Sequence, residues 1–201
     1  SVLGSVIDGL IHNYGINFIV SAGNHRLNKK YTSLDDIIKD DNSKISAPAD
    51  GFLLTSVGSI TNQDGLSSFS RIGTGFSDSM KPGLVYHGGD LPLGYQKKIG
   101  NVESIKVINN SGDLVDDAGT SFSSPLAAAD IAIVQQYCLN SLIHPIKGIS
   151  PKRIASFEAK ALMYHKGSEA ENKNFNNLKG FGEINLNQVL HSSKSNATYI
   201  R

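Results

Sequence analysis

Gly119-Thr120-Ser121-Phe122-Ser123-Ser124-Pro125 runs straight into the apolar segment Leu126-Ala127-Ala128-Ala129-Asp130-Ile131-Ala132-Ile133-Val134. The stretch reads as a Gly-Thr turn that delivers a serine to the mouth of a buried helix. The pattern predicts a helix from about Ser123 to Leu142, with Pro125 in its first turn, where a missing N–H has no intrahelical partner to lose. Small side chains at Ala127, Ala128, Ala129 and Ala132 let such a helix pass close to a sheet. Its N-terminus points unpaired N–H groups and a positive dipole end toward Ser121. A hydroxyl held there can attack a carbonyl, and the oxyanion that forms is stabilised in that field.

Working outward, Ile16-Asn17-Phe18-Ile19-Val20 is almost wholly apolar, as expected of a parallel strand covered on both faces. Ser21-Ala22-Gly23-Asn24 follows as the turn at its C-terminal end, where open α/β sheets bind ligands. Upstream, Val2, Leu3, Val6, Ile7, Leu10 and Ile11 recur at helical spacing and Asn13-Tyr14-Gly15 ends that helix. Helix followed by buried strand is an α/β signature. The Asn24 amide is suited to donate to developing negative charge; the plainer role is capping a turn. Ser121 elsewhere in the chain favours the first. Asp8 sits inside the helical stripe and reads as a solvated helix aspartate, and His25 as a solvated loop histidine.

Gly-Thr-Ser-x-x-x-Pro before a small-residue helix resembles the serine motif of the subtilisin-like serine proteases, the subtilases. Ile16 to Asn24 is similar to that family's strand ending in Ala-Gly-Asn, whose asparagine donates to the oxyanion. Ser68-Phe69-Ser70 with Lys81-Pro82 resembles its Ser-x-Phe-Ser stretch and a Lys-Pro before another strand. Gly180-Phe181-Gly182-Glu183-Ile184-Asn185 resembles the Gly-x-Gly strand that closes its catalytic domain. The resemblance implies an α/β fold with a mostly parallel sheet flanked by helices in three layers. It implies peptide-bond hydrolysis with Ser121 as nucleophile, Asn24 in the oxyanion hole, and Ser21, Ala22, Gly23, Gly119 and Thr120 touching a polypeptide substrate. The family's triad runs Asp, His, Ser, and its first two members precede the asparagine strand. This sequence starts just ahead of that strand. Residues 1–191 are therefore expected to be the C-terminal portion of a catalytic domain, partnered by an N-terminal half carrying Asp and His, inactive alone, with 192–201 a polar tail. The carboxyl-serine proteases share Gly-Thr-Ser but place aspartate where Asn24 stands, which argues against them. A non-catalytic peptide-binding relative is the other alternative, and the retention of both Ser121 and Asn24 argues against that.

The 201 residues and net charge of +1 allow one sizeable core and give no strong attraction to nucleic acid or a membrane surface. The run Leu126–Val134 is far short of the roughly 20 residues of a membrane span. Cys138 is a single thiol, expected to be buried and inert, and localisation is left undetermined. Asp35, Asp36, Asp40, Asp41 and Asn42 supply the oxygens that calcium takes. Their spacing fits no standard loop, so residues 26–44 read as a solvated insertion. The chemistry needs no cofactor, and a structural calcium is not assignable. Other expectations are a strand over Phe52–Ile60, a strand and turn over Lys81–Gly89 with His87 a structural histidine, and a surface hairpin or edge strand within Asp90–Asn110, where Val102, Ile105, Val107 and Ile108 alternate. Asp116 and Asp117 read as loop charges. Ser150-Pro151 opens a helix whose inner face is Ile154, Phe157, Ala161 and Leu162. Phe181–Leu186 reads as a strand, Asn187–His191 as a last helical turn, and Asn196-Ala197-Thr198 as a chance sequon.

Overall fold

The computed structural model describes residues 1–25, 34–63, 65–91, 103–141, 146–168 and 177–191. Part of the polar insertion (26–33), the centre of the Asn-rich loop (169–176) and the tail with its sequon lie outside the described residues.

Three strands form a parallel sheet in the order β1 (Ile19–Ser21), β2 (Thr55–Ile60), β3 (Leu84–His87). Ile19 registers with Thr55, and Val57 with Leu84. Every residue of β2 is buried, as a central parallel strand requires. β1 is only half-buried, unlike β3 at the other edge, which is buried over Leu84–Tyr86. The strand predicted over Phe52–Ile60 is shorter, since Phe52–Leu54 bends to meet other parts of the chain.

The serine helix α3 (Thr120–Ser141) packs on all three strands and on α4 (Pro151–His165) and α5 (Leu186–Leu190). Val57, Leu84 and Tyr86 of the sheet meet Ala127, Ile131, Val134 and Cys138 of α3; Ala155, Ala159, Leu162 and Met163 of α4 close the same core. Cys138 is buried as expected, and burial pushes its thiol up to about 11. α4 has its Ser150 cap, whose hydroxyl accepts from the Arg153 N–H, and Pro151 in the first turn. Its buried positions are 154–156, 158/159 and 162/163, so Phe157 and Ala161 lie outside the inner face predicted for them. Phe157 suggests an inner position by its bulk, but the small Ala155 and Ala159 are the ones in the core shared with α3.

α1 (Val2–Tyr14) ends at Gly15 in the left-handed conformation, with the Gly15 N–H donating to Ile11 O, a common helix stop. Ile11 is buried, but Val2, Val6, Leu10 and Tyr14 form an exposed row, Val2 at 85 %. α2 (Leu34–Lys39) and a 3-10 turn at Asp41–Ser43 occupy part of the predicted solvated insertion. Ile37 and Ser43 there are buried, a departure caused by Ile37 packing on Ile72. β4 (Ile105–Ile108) falls where a hairpin or edge strand was expected, but its antiparallel partner β5 (Leu114–Asp117) lies beyond it, across the 109–113 turn. Asp116 and Asp117 are therefore strand residues, not loop charges; Asp116 pairs with Lys106. Phe181–Leu186 forms no regular strand. Phe181 N–H donates to Gly83 O and Gly182 O accepts from Val85 N–H, and a single bridge joins Ile184 to Gly167; Asn185 is already the cap of α5, accepting from the Gln188 N–H.

Candidate active site

The C-terminal ends of β1 and β3 and the N-terminus of α3 meet in one place. Gly119 N–H donates to Gly88 O at 2.9 Å, joining the turn before Ser121 to the residue after β3. Gly88 carries no side chain for a steric reason: a Cβ there would lie 2.2 Å from Ser59 Oγ, 2.4 Å from Ser123 Oγ and 2.8 Å from Gly119 O. On the other side, Asn24 Oδ1 accepts from the Thr120 N–H at 3.1 Å and from the Thr120 hydroxyl at 2.9 Å. Thr120 Oγ1 in turn accepts from the Gly23 N–H at 3.2 Å. Residues 96 positions apart are thus tied through one threonine.

This network fixes the Asn24 amide. With Oδ1 committed to two donors, the Nδ2 edge lies beside Gly119, 3.1 Å from where a Cβ there would lie. The first turn of α3 is sorted in the same way. Thr120 N–H is used by Asn24, and Phe122 N–H donates to Gly119 O. The Ser121 N–H between them makes no hydrogen bond to the described residues, and Ser121 itself is exposed. One backbone donor and one side-chain donor are left at the serine, at the positive end of a 22-residue helix, which is the equipment for holding an oxyanion.

The helix begins three residues earlier than its sequence pattern predicts, so Pro125 is its sixth residue and not in its first turn. Its missing N–H leaves the Ser121 carbonyl without the usual i+4 donor. Ser124 Oγ donates to Thr120 O at 2.9 Å, taking up part of the polar surface at this turn. The helix start is moved upstream by Asn24, whose carbonyl oxygen caps the Thr120 N–H from a distant strand.

Asn24 is also held by its backbone. It bridges antiparallel to Ser70, His25 N–H donates to Phe69 O at 2.8 Å, and Arg71 N–H donates to Gly23 O at 3.0 Å. The Ser-Phe-Ser stretch is therefore the backing of the asparagine turn. His25 is buried at 3 % exposure, not solvated as expected, since this backing covers it. His87 contacts Glu103 as a structural histidine. Tyr86 donates to Asp130 of α3 at 2.8 Å, and alternation along β3 sends His87 to the other sheet face. Asp8 is not a solvated aspartate: it accepts from the N–H groups of Phe52, Leu53 and Leu54. No periodicity within α1 reveals a carboxylate that binds a turn more than 40 residues away. Of the predicted substrate-contact residues, Ala22, Gly119 and Thr120 are buried while Ser21 and Gly23 are partly accessible. Gly88, expected only as part of the turn after β3, and Arg71 both belong to this neighbourhood; the Gly88-Gly89 pair after a strand is the sequence cue for the first, and no sequence signal marks the second. Among the described residues no group of three His, Cys, Asp or Glu side chains converges as a metal site, and no helix is long and apolar enough to cross a membrane.

Comparison with known proteins adds the family context. The model of the Subtilase family matches residues 5–182. Among curated proteins none matches. A lanthipeptide protease structure superposes with TM-score 0.60 at 18% identity, over 94% of this chain and 54% of that one. The epidermin leader peptide processing serine protease EpiP from Staphylococcus aureus gives TM-score 0.60 at 20% identity, over 98% and 45%. The prenylagaramide maturation protease PagA gives 0.57 at 16% identity, over 92% and 54%. The chain spans about half the length of these structures.

Proposed function

The chain belongs to the subtilase family, and from that footing we propose that it carries the nucleophile and oxyanion hole of a serine endopeptidase. Ser121 Oγ attacks the scissile carbonyl of a polypeptide. A histidine outside this sequence takes the hydroxyl proton and returns it to the leaving amine, and an aspartate outside it orients that histidine. Asn24 Nδ2 and the Ser121 N–H receive the oxyanion, and water then cleaves the acyl-enzyme. Ser21, Ala22 and Gly23 wall one side of the substrate cleft, with Gly119 and Thr120 at its floor.

The observation that carries this reading is the Asn24–Thr120 pairing, which turns the free amide donor toward the serine turn. The complementary half of the domain has surfaces to meet. Among the described residues they are the edge of β1 away from β2, the exposed row Val2, Val6, Leu10 and Tyr14 on α1, and the exposed Leu126 and Ile133 of α3. Residues 1–191 act in this account as the C-terminal portion of a catalytic domain. Without its base a serine hydroxyl is a weak nucleophile near neutral pH, so the 201-residue chain is inactive alone.

The test compares peptide hydrolysis by the chain, by the chain continued upstream through the Asp- and His-bearing half, and by that longer protein with Ser121→Ala. Activity only in the longer wild-type protein is expected. Hydrolysis by the isolated chain would refute the missing base. A folded but inactive longer protein would favour a non-catalytic peptide-binding module.

A further inference from the structure

We propose that Arg71 is a positioning residue for the oxyanion site, acting through Gly23 on Asn24; this rests on the reading of Asn24 given above. Three contacts converge on Gly23. Its N–H donates to Thr120 Oγ1, its carbonyl accepts from the Arg71 N–H, and its bare face lies on the Arg71 stem. A Cβ on Gly23 would sit 2.9 Å from Arg71 Cδ and 3.3 Å from Nε. Gly23 has φ +96, a conformation that glycine adopts without strain. The arginine stem fills the space that a side chain at position 23 would need.

The head of the same side chain is anchored on a separate segment. Arg71 Nη1 donates to Asn42 O at 2.9 Å and to Lys44 O at 2.7 Å. That segment is itself bound to the residue after Arg71: Ile72 N–H donates to Ser43 O, and Ile45 N–H to Ile72 O, both at 2.9 Å. Arg71 is thus a strut between the 42–45 segment and the turn that carries Asn24. Charge-assisted bonds from a planar guanidinium to two carbonyls set direction as well as distance. Both bonds leave from Nη1; a lysine keeps the stem and a point charge, but its ammonium ends one atom short of that position. Removing the strut leaves Gly23 bare on one face, with the turn that carries Asn24 held on that side by backbone bonds alone. A small displacement at such a site is costly because the donors must meet the transition state, not the ground state.

Two measurements test this. In the longer active protease, Arg71→Ala is expected to lower kcat by about ten- to a hundredfold, with KM changed by less than about twofold. Arg71→Lys is expected to fall between, and added ethylguanidinium to restore part of the Arg71→Ala loss. An unchanged kcat, or a loss that neither lysine nor ethylguanidinium relieves in a folded variant, overturns the proposal. In the 201-residue chain, which requires no activity, the Asn24 side-chain amide resonances are expected to shift in Arg71→Ala while those of Gln136 on the exposed side of α3 stay in place. Unmoved Asn24 resonances overturn it. An inactive wild-type longer protein would instead defeat the endopeptidase reading, leaving the amide measurement to decide on Arg71.

Discussion

Asn24 holds two donors of one residue on a single oxygen, and this decides what its nitrogen can do. Replacing it with alanine in the active protease removes an oxyanion donor, so kcat is expected to fall by about 10²–10³, or roughly 2.7–4 kcal/mol of transition-state stabilisation. Steady-state kinetics with KM nearly constant would fit; a loss confined to KM would place Asn24 in ground-state binding. Thr120→Val keeps the shape but loses both hydroxyl bonds, to Asn24 and to Gly23. A loss of about tenfold is expected, smaller than for Asn24→Ala because the Thr120 N–H still holds Oδ1. Equal losses would show that the hydroxyl contributes more than orientation. Ser121 and Asn24, the proposed nucleophile and oxyanion donor, could be proposed from the sequence because that chemistry calls for those residue types after a turn and a strand. The linking role of Thr120 could not, since a hydroxyl's partners lie wherever the fold brings them. Asp8 was misread for the same reason.

Element by element, the apolar stretches announced themselves and their ends did not. The α3 pattern was plain from Leu126 to Val134, yet its first turn is set by Asn24, a tertiary cap that local sequence cannot display. On α4 the small residues Ala155 and Ala159 face α3, and the larger Phe157 points outward. Met163 is fully buried in this interface, so Met163→Ala is expected to cost about 2–5 kcal/mol of stability, read from the urea midpoint. A cost below about 1 kcal/mol would mean that the site collapses around the smaller residue. Gly88→Ala asks a different question. Its methyl would meet Ser59 Oγ, Ser123 Oγ and Gly119 O, so β3 and the serine turn must separate. Both stability and serine reactivity are expected to fall; a neutral variant would show that the two serine hydroxyls turn away easily.

For the whole molecule, the α/β class followed from a stripe-then-strand pattern, while the placing of charges did not. Lys81 is fully buried and donates to Leu54 O at 2.7 Å, and Lys160 donates to Leu53 O. Burial, aided by the charge of Lys160, lowers Lys81 to about 7. Burial likewise lowers Lys160 to about 8, against the opposing pull of Asp8. The unfolded chain binds these protons more tightly than the native one, so stability rises as pH climbs from about 7 toward the ordinary lysine value near 10.5. It is lost as pH falls through the native values. Urea midpoints at neutral and alkaline pH are expected to rise for the wild type and to rise less for Lys81→Met; parallel profiles would contradict a buried proton site. On the proposed reading, the exposed apolar rows of α1 and α3 meet a complementary half across the edge of β1 that no other described strand pairs with. That half, on this account, brings the base to Ser121. The most direct test is to react the longer protein with a fluorophosphonate and map the adduct by mass spectrometry. The account predicts one phosphonylated residue, Ser121, unlabelled in Ser121→Ala and slow to label in the 201-residue chain. An adduct elsewhere, or none in a folded longer protein, would contradict it.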